Sequence, residues 1–223
     1  MENQTLSKPV TSTQTEPHRN LVALVQKHRD HPFQKPIAAY NQTAFDDLSN
    51  IVAAHSGPLI LDSGCGTGDS TRQLSLQHPE ALVIGIDRSE HRLNRQRADN
   101  PANCVLIRAD LIDMWRLIAQ TDWPIRKHYL LYPNPEPKPT HIKRRFHAHP
   151  VFPTLAELAP KLELRSNWWV YLAEMQQALE VLGIDSQIRE ITTHPITPVT
   201  LFEQKYRRSG HRLWQLSAQW QNG

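Results

Sequence analysis

The feature that most constrains the fold of this chain is a cluster of glycines between an apolar run and a helical segment. Three of the eight glycines in the 223-residue sequence lie within residues 64–68, directly after the apolar run Leu59–Leu61. The residues from Ser70 to His78 then have the pattern of a helix. A buried strand, a tight glycine turn and a helix in this order are typical of the first unit of a parallel α/β sheet.

Strand-like and helical segments alternate through most of the chain. Strands are predicted at 81–86, 104–108, 128–132 and 168–171 or slightly earlier, and the last third ends in strand-like pieces. Helices are predicted at 89–98, 114–120, 152–159 and 173–182. Alternation at roughly 10–15-residue spacing predicts βαβ units, and hence an α/β fold with a mostly parallel sheet and helices on both faces.

The N-terminal part of the chain differs from this pattern. Residues 1–17 lack aromatic residues and any apolar cluster, and we expect a flexible tail there. Segments 18–33 and 37–54 have helical apolar spacing and are predicted to form an N-terminal helical extension. No second domain is apparent, so residues 18–223 are predicted to form one domain.

Several classes of protein are excluded by composition. No stretch approaches the ~18 consecutive apolar residues of a spanning helix, and residues 1–17 lack the apolar core of a secretory signal. Two cysteines cannot build a disulfide scaffold, and no Cys/His cluster has zinc-ligand spacing. We therefore expect a cytoplasmic protein with no membrane association and no metal, acting as a monomer or homodimer.

Acidic residues flank the glycine turn and indicate which ligand it binds. Asp62 precedes a G-x-G-x-G sequence of Gly64, Gly66 and Gly68, and Asp87 ends the next strand. This spacing differs from the dinucleotide motif, and a carboxylate beside the turn favours a cationic ligand. S-adenosylmethionine has a sulfonium, an ammonium and a ribose that Asp87 could bind. These five residues are predicted to bind this cofactor; the alternative is a tight turn without a ligand.

A third acid, Asp110, follows the next strand along the chain. Its carboxylate could accept a hydrogen bond from the adenine amino group of the cofactor. It could equally cap the helix that follows it.

The segment after the fourth strand is rich in proline and strongly basic. Residues 133–153 contain six prolines, and residues 126–149 contain six Lys or Arg and a single acid, Glu136. A basic surface beside a cofactor site suggests a polyanionic substrate such as a nucleic acid; the alternative is a solvated loop. Asn134 stands where the acceptor would meet the methyl group, and its amide can accept a hydrogen bond but cannot act as a base.

With these residues in view, the chain resembles the bacterial tRNA (guanine-N7)-methyltransferase family. The distinctive segments are Tyr132–Lys138 (YPNPEPK), His141–Arg145 (HIKRR) and 198–203 (PVTLFE). The resemblance implies a Rossmann-like S-adenosylmethionine-dependent methyltransferase fold and a tRNA substrate methylated at N7 of guanine. Two alternatives stay open: another RNA or a small molecule as acceptor, or a tRNA-binding relative with little catalytic activity.

The resemblance also assigns roles to individual residues. It matches Asp62, Asp87 and Asp110 to cofactor contacts and Asn134 to the catalytic position. It matches Lys138, Asn167 and the segment from Thr200 to Glu203 to residues that hold the guanosine and its tRNA. Lys143, Arg144 and Arg145, on the basic segment, are predicted to contact phosphates of the tRNA.

Three residues depart from the family pattern. Asn134 and Asn167 stand where better-known members have aspartate, and Glu136 replaces an aromatic residue. Glu203 is then the acid expected to bind N1–H and the amino group of guanine. Thr200 and Glu203 could instead share a helical face or form a capping box, and Asn167 could be a turn residue.

Overall fold

A computed structural model of the chain describes residues 6–95, 99–192 and 199–220. The helices are α1 (Leu21–Asp30), α2 (Ala39–Ala53), α3 (Asp69–Gln77), α4 (Glu90–Leu93), α5 (Leu111–Ile118), α6 (Phe152–Leu158), α7 (Trp169–Val181) and α8 (Leu201–Arg208). The strands are β1 (Leu59–Ser63), β2 (Leu82–Asp87), β3 (Cys104–Arg108), β4 (Ile125–Leu131), β5 (Lys161–Ser166), β6 (Ser186–Glu190) and β7 (Trp214–Gln219). Two 3-10 helices, Pro139–Arg144 and Phe146–Ala148, lie between β4 and α6.

The seven strands form one sheet in the order β3-β2-β1-β4-β5-β7-β6. All neighbours are parallel except β7, which runs antiparallel to both β5 and β6. The predicted α/β fold with a mostly parallel sheet is therefore confirmed. Because the chain adds strands to one side after β1 and to the other side from β4 onward, the strand order reverses between β1 and β4. Ligands of open α/β sheets bind at the carboxyl ends of the strands at such a point.

The two faces of the sheet are covered unequally. Leu59 and Leu61 of β1 belong to the main core, together with side chains from α1, α2, α5, α6 and α7. Ile60 points to the opposite face, where a smaller cluster includes Leu74 of α3 and Val199. This division follows from the alternation of side chains along a strand. Helices thus cover both faces, as predicted.

Two predicted elements differ from the structure. The strand expected near Trp168–Tyr171 is β5, Lys161–Ser166, and Trp169 already begins α7. The aromatic run was misleading because β5 carries alternating charges, Glu163 and Arg165, which pair with each other inside the protein. The helix expected at 89–98 is observed as the short α4; the last three of those residues lie outside the described residues.

The N-terminal segment makes hydrogen bonds to distant parts of the domain. The Ser7 amide donates to Ser209 Oγ at 2.8 Å, and Ser12 Oγ donates to the Pro137 carbonyl at 2.5 Å. The flexible tail over residues 1–17 stays a prediction, since residues 1–5 lie outside the described residues. None of the helices in the described ranges is long and apolar enough to cross a membrane.

Candidate active site

A cavity of about 750 Å³ opens at the carboxyl ends of β1, β2 and β4. Its volume is in the range of small-molecule sites, and it lies at the point where the strand order reverses. The predicted site residues that line it are Gly64, Asp87, Asp110, Asn134, Arg144 and Asn167. The predicted site residues that are not part of its wall are Asp62, Gly66, Gly68, Lys138, Lys143, Arg145, Thr200 and Glu203.

The glycine turn has a backbone that only glycine adopts readily. Gly64, Gly66 and Gly68 have φ values of 78°, 62° and 79°. A Cβ atom at Gly68 would also crowd the Leu106 side chain. The Gly64 amide donates to the Ile86 carbonyl at 2.8 Å, which ties the turn to the end of β2.

Asp62 lies beneath the turn and is buried. Its Oδ2 accepts hydrogen bonds from Ser70 Oγ at 2.5 Å and Thr71 Oγ1 at 2.7 Å, both on α3. Burial raises the pKa of this carboxyl to about 6, because its partners are neutral hydroxyls rather than cations. Its Oδ1 is also buried and has no hydrogen-bond partner in the described part of the chain.

Asp87 joins the turn to the cavity. Its Oδ2 accepts from the Gly66 amide at 3.0 Å, and its Oδ1 accepts from the Ser89 amide at 2.8 Å. Arg92 Nη2 lies 3.0 Å from Oδ1. Because each carboxylate oxygen has two lone pairs, Oδ2 of Asp87 can still accept one hydrogen bond from a ligand in the cavity.

Asp110 caps a helix and lines the cavity as well. Its Oδ1 accepts from the Ile112 amide at 2.8 Å at the start of α5, which is the alternative role that the sequence left open. Its own amide donates to Oδ1 of Asn41 at 2.9 Å. Asn41, which the sequence analysis missed, is fully buried on α2 and also binds Asp113. The helical extension therefore holds this wall of the cavity.

The proline-rich loop forms the opposite wall and has two unusual backbone conformations. Tyr132 and Glu136 have φ values of 52° and 45°, which are costly for residues other than glycine. Asn134 Nδ2 donates to Glu136 Oε1 at 3.0 Å. Glu136 Oε2 lies 3.0 Å from His141 Nδ1 and 3.8 Å from Arg144 Nη1.

Arg145 does not lie on the basic surface where it was predicted. Its side chain is fully buried, and Nη1 lies 2.5 Å from Glu174 Oε2 on α7. Its Nε and Nη2 donate to the Glu136 carbonyl at 3.1 and 2.9 Å. Arg145 therefore supports the loop from inside and cannot contact a phosphate in this structure.

Glu174 is a second residue that the sequence analysis missed. It also receives a hydrogen bond from His147 Nε2 at 2.8 Å. Burial alone would raise the pKa of Glu174, but His147 and Arg145 outweigh this effect and lower it to about 2. Glu174 is the single charged residue in the otherwise apolar first half of α7. This pattern could have indicated a buried ion pair, because a charged side chain is buried only with a partner.

Thr200 and Glu203 are part of the structure of α8. Thr200 Oγ1 accepts from the Glu203 amide at 2.8 Å as the N-cap of the helix. The Glu203 side chain is fully buried and forms ion pairs with Arg165 at 2.8 Å and Arg207 at 2.6 Å. This corrects the expectation that Glu203 binds guanine, because its carboxylate is directed into the protein. Of the two hydrogen bonds of a capping box, the one from the Glu203 amide to Thr200 is present, and the one from the Thr200 amide to the Glu203 side chain is not.

Asn167 and an aromatic wall complete the acceptor side. Asn167 is half-buried, and its Nδ2 lies 3.1 Å from His211 Nδ1. Phe202 and Tyr206 line the cavity from α8, and Phe202 is 51% exposed. Tyr206 stacks on His211 with ring centroids 5.2 Å apart. Phe202 belongs to the 198–203 segment that carries the resemblance, whereas the sequence analysis missed Tyr206, although the i, i+4 spacing places both on one helix face.

Three predicted cations do lie on the surface, and one of them, Arg144, also lines the cavity. Lys138, Lys143 and Arg144 are exposed on the segment that follows β4. No cluster of three or more His, Cys, Asp or Glu residues able to hold a metal ion occurs within the described ranges.

Comparisons of sequence place the chain among known methyltransferases. Residues 56–216 match the model of a family described as "Putative methyltransferase". The chain is 30% identical over 174 residues to the tRNA (guanine-N(7)-)-methyltransferase of Bordetella parapertussis, covering 71% of this chain and 66% of that protein. It is also 30% identical over 174 residues to the enzyme of the same name from Neisseria meningitidis serogroup C, covering 71% and 70%.

Comparisons of structure agree on the fold. A 16S rRNA (adenine(1408)-N(1))-methyltransferase from Catenulisporales acidiphilia, solved with its cosubstrate SAM, gives a TM-score of 0.55 at 19% identity, covering 79% of this chain and 91% of that one. An antibiotic-resistance methyltransferase gives a TM-score of 0.52 at 18% identity, covering 80% and 93%. The predicted Rossmann-like methyltransferase fold is therefore confirmed.

Proposed function

Because the chain belongs to the tRNA (guanine-N(7)-)-methyltransferase family, we propose that it transfers a methyl group from S-adenosylmethionine to N7 of a guanine in tRNA. One observation carries the proposal. Asp87 and Asp110, on the predicted cofactor side, and Asn134 and Asn167, on the predicted acceptor side, line the same cavity. A methyl transfer requires donor and acceptor to meet in one such space.

The residues of the glycine turn fit the cofactor. The buried, unpartnered Oδ1 of Asp62 leaves an acceptor beneath the turn, and Gly64 presents bare backbone to the cavity. Asp87 would accept a hydrogen bond from a ribose hydroxyl, and Asp110 would bind the adenine amino group. When bound, S-adenosylmethionine supplies a methyl group on a cationic sulfur.

The acceptor side needs to position guanine rather than remove a proton from it. N7 of guanine has a lone pair, so the bond from N7 to the methyl carbon forms while the sulfur–carbon bond breaks. An asparagine at position 134 is compatible with this reaction, because no base is needed. Phe202 and Tyr206 offer apolar surface for the base, which helps to exclude water and fix its orientation.

The exposed cations beside the cavity are suited to tRNA. Lys138, Lys143 and Arg144 would contact phosphates and hold the tRNA over the cavity without reading its sequence. The proposal includes a cytoplasmic location and a monomeric or homodimeric enzyme.

The test is to incubate the purified protein with methyl-labelled S-adenosylmethionine and bulk tRNA, and then to analyse the nucleosides. We expect label in 7-methylguanosine. Label in another nucleoside would indicate a different acceptor. Cofactor and tRNA binding measured by calorimetry without any label transfer would indicate a tRNA-binding protein and overturn the proposal.

A further inference from the structure

Glu136 is an acidic residue in the acceptor wall that the family resemblance does not explain. We propose that its carboxylate recognises the target guanine by accepting hydrogen bonds from N1–H and the exocyclic amine. This inference rests on the proposed function and gives the recognition role to a residue other than Glu203.

Glu136 is the acid of the cavity wall that neither caps a helix nor holds the glycine turn. The acidic residues in the cavity wall, among the described residues, are Asp87, Asp110 and Glu136. Asp87 is tied to the glycine turn and Asp110 caps α5. Glu203, whose side chain has no exposed surface, is held by two arginines.

The Glu136 carboxylate keeps room for a ligand. Asn134 and His141 each take one hydrogen-bonding position on it, at 3.0 Å, and Arg144 forms an ion pair with it at 3.8 Å without a hydrogen bond. A carboxylate offers about four such positions, and 20% of the Glu136 side chain is exposed. About two positions therefore remain, which is the number of donors that guanine presents through N1–H and its amine.

The protein fixes the position of this carboxylate by unusual means. The backbone of Glu136 has a φ of 45°, and Arg145 clamps its carbonyl with two hydrogen bonds. Arg145 is in turn held by the buried Glu174. Strained backbone that is held from several directions is characteristic of functional sites, where it orients a group in advance.

The charge of Glu136 also suits the reaction. When the methyl group moves from sulfur to N7, the positive charge moves to the guanine ring. A carboxylate bonded to N1–H stabilises that charge as it develops, whereas an amide oxygen does so less strongly. Glu136 would therefore lower the barrier as well as select guanine over adenine, which lacks both donors.

The experiment compares Glu136→Gln with wild type on two forms of tRNA. The methylated position is first mapped with wild-type enzyme, and a tRNA carrying inosine there is then prepared, because inosine keeps N7 and N1–H but lacks the amine. We expect Glu136→Gln to lower kcat/KM about 30-fold on the guanosine tRNA and at most about fivefold on the inosine tRNA. Glu136→Asp, which keeps the charge, is expected to recover part of the loss.

Glu180→Gln is the matched control, because Glu180 is an exposed glutamate on α7 far along the sequence from the loop. We expect it to leave both rates unchanged, and expect all variants to bind S-adenosylmethionine with wild-type affinity. Equal losses of Glu136→Gln on both tRNAs, or no loss, would overturn the assignment of Glu136 while leaving the proposed function intact. Absence of 7-methylguanosine with wild-type enzyme would overturn both.

Discussion

The two walls of the cavity are each anchored by one buried carboxylate, and the two carboxylates are perturbed in opposite directions. Beneath the glycine turn, Asp62 is held by the hydroxyls of Ser70 and Thr71, and burial raises its pKa to about 6. Beneath the proline-rich loop, Glu174 is held by Arg145 and His147, whose combined effect exceeds that of burial and lowers its pKa to about 2.

This difference separates two ways of building a binding wall. The negative charge of a carboxylate with neutral partners is not cancelled, so it still attracts a cationic ligand. This suits the proposed cofactor. A carboxylate paired with arginine has its charge neutralised and does not attract a ligand. The pair can instead hold a strained backbone conformation, such as that of Glu136, in place. The wall at the glycine turn, the first wall, is suited to its ligand by charge. The wall at the proline-rich loop, the second wall, is suited to its ligand by a rigid backbone.

The largest effect is expected from breaking the anchor of the second wall. Arg145→Met leaves Glu174 buried beside His147 without its arginine, and we expect the free energy of unfolding to fall by about 3–5 kcal/mol. Urea denaturation monitored by tryptophan fluorescence measures this change. Arg144→Met removes the neighbouring, mostly exposed cation and should change the free energy by less than about 1 kcal/mol. Similar small losses for both variants would show that the buried pair is not an anchor.

Asp62, the anchor of the first wall, is expected to make the free energy of unfolding depend on pH. The pKa of Asp62 rises on folding from 3.8 to about 6, so the folded protein keeps a proton that the unfolded chain has lost. Stability conferred by that proton is present at low pH and is lost as pH rises through about 6. Relative to Asp62→Asn, the wild type should lose about 2 kcal/mol of unfolding free energy between about pH 4 and pH 7.

Denaturant titrations of both proteins across this range test the prediction, because every other group titrates equally in the two. A difference that stays constant with pH, or that grows in favour of the wild type as pH rises, would contradict it.

The first wall could be predicted in more detail than the second. The order of apolar strand, glycines and helix is local, so residues close in sequence determine the turn and place Asp62 beneath it and Asp87 beside it. Asp110 remained ambiguous because capping and cavity lining are compatible, and the structure has it doing the first while positioned for the second.

The second wall depends on residues far apart in the chain. Lys143, Arg144 and Arg145 look equivalent in sequence, but only Arg145 faces a buried acid 29 positions away. Likewise Glu203 was separated from its partner Arg165 by 38 positions, so its burial could not be inferred from its neighbours. Sequence patterns carry periodicity and local turns, whereas the pairing of buried charges is set by tertiary packing.

The smallest effect is expected on the outer surface of the second wall. Lys143 is exposed and directly precedes Arg144, which lines the cavity. Lys161 is exposed at the amino end of β5, whereas the cavity opens at the carboxyl ends of the parallel strands. If Lys143 contacts one phosphate, Lys143→Ala should weaken tRNA binding several-fold and reduce the slope of log K against log salt by about 1. Lys161→Ala should leave the slope unchanged. Filter binding over a series of salt concentrations measures both, and equal slopes for the two variants would place the tRNA on another surface. Because one phosphate contact carries little energy, the change of slope is a stronger test of this wall than the change of affinity.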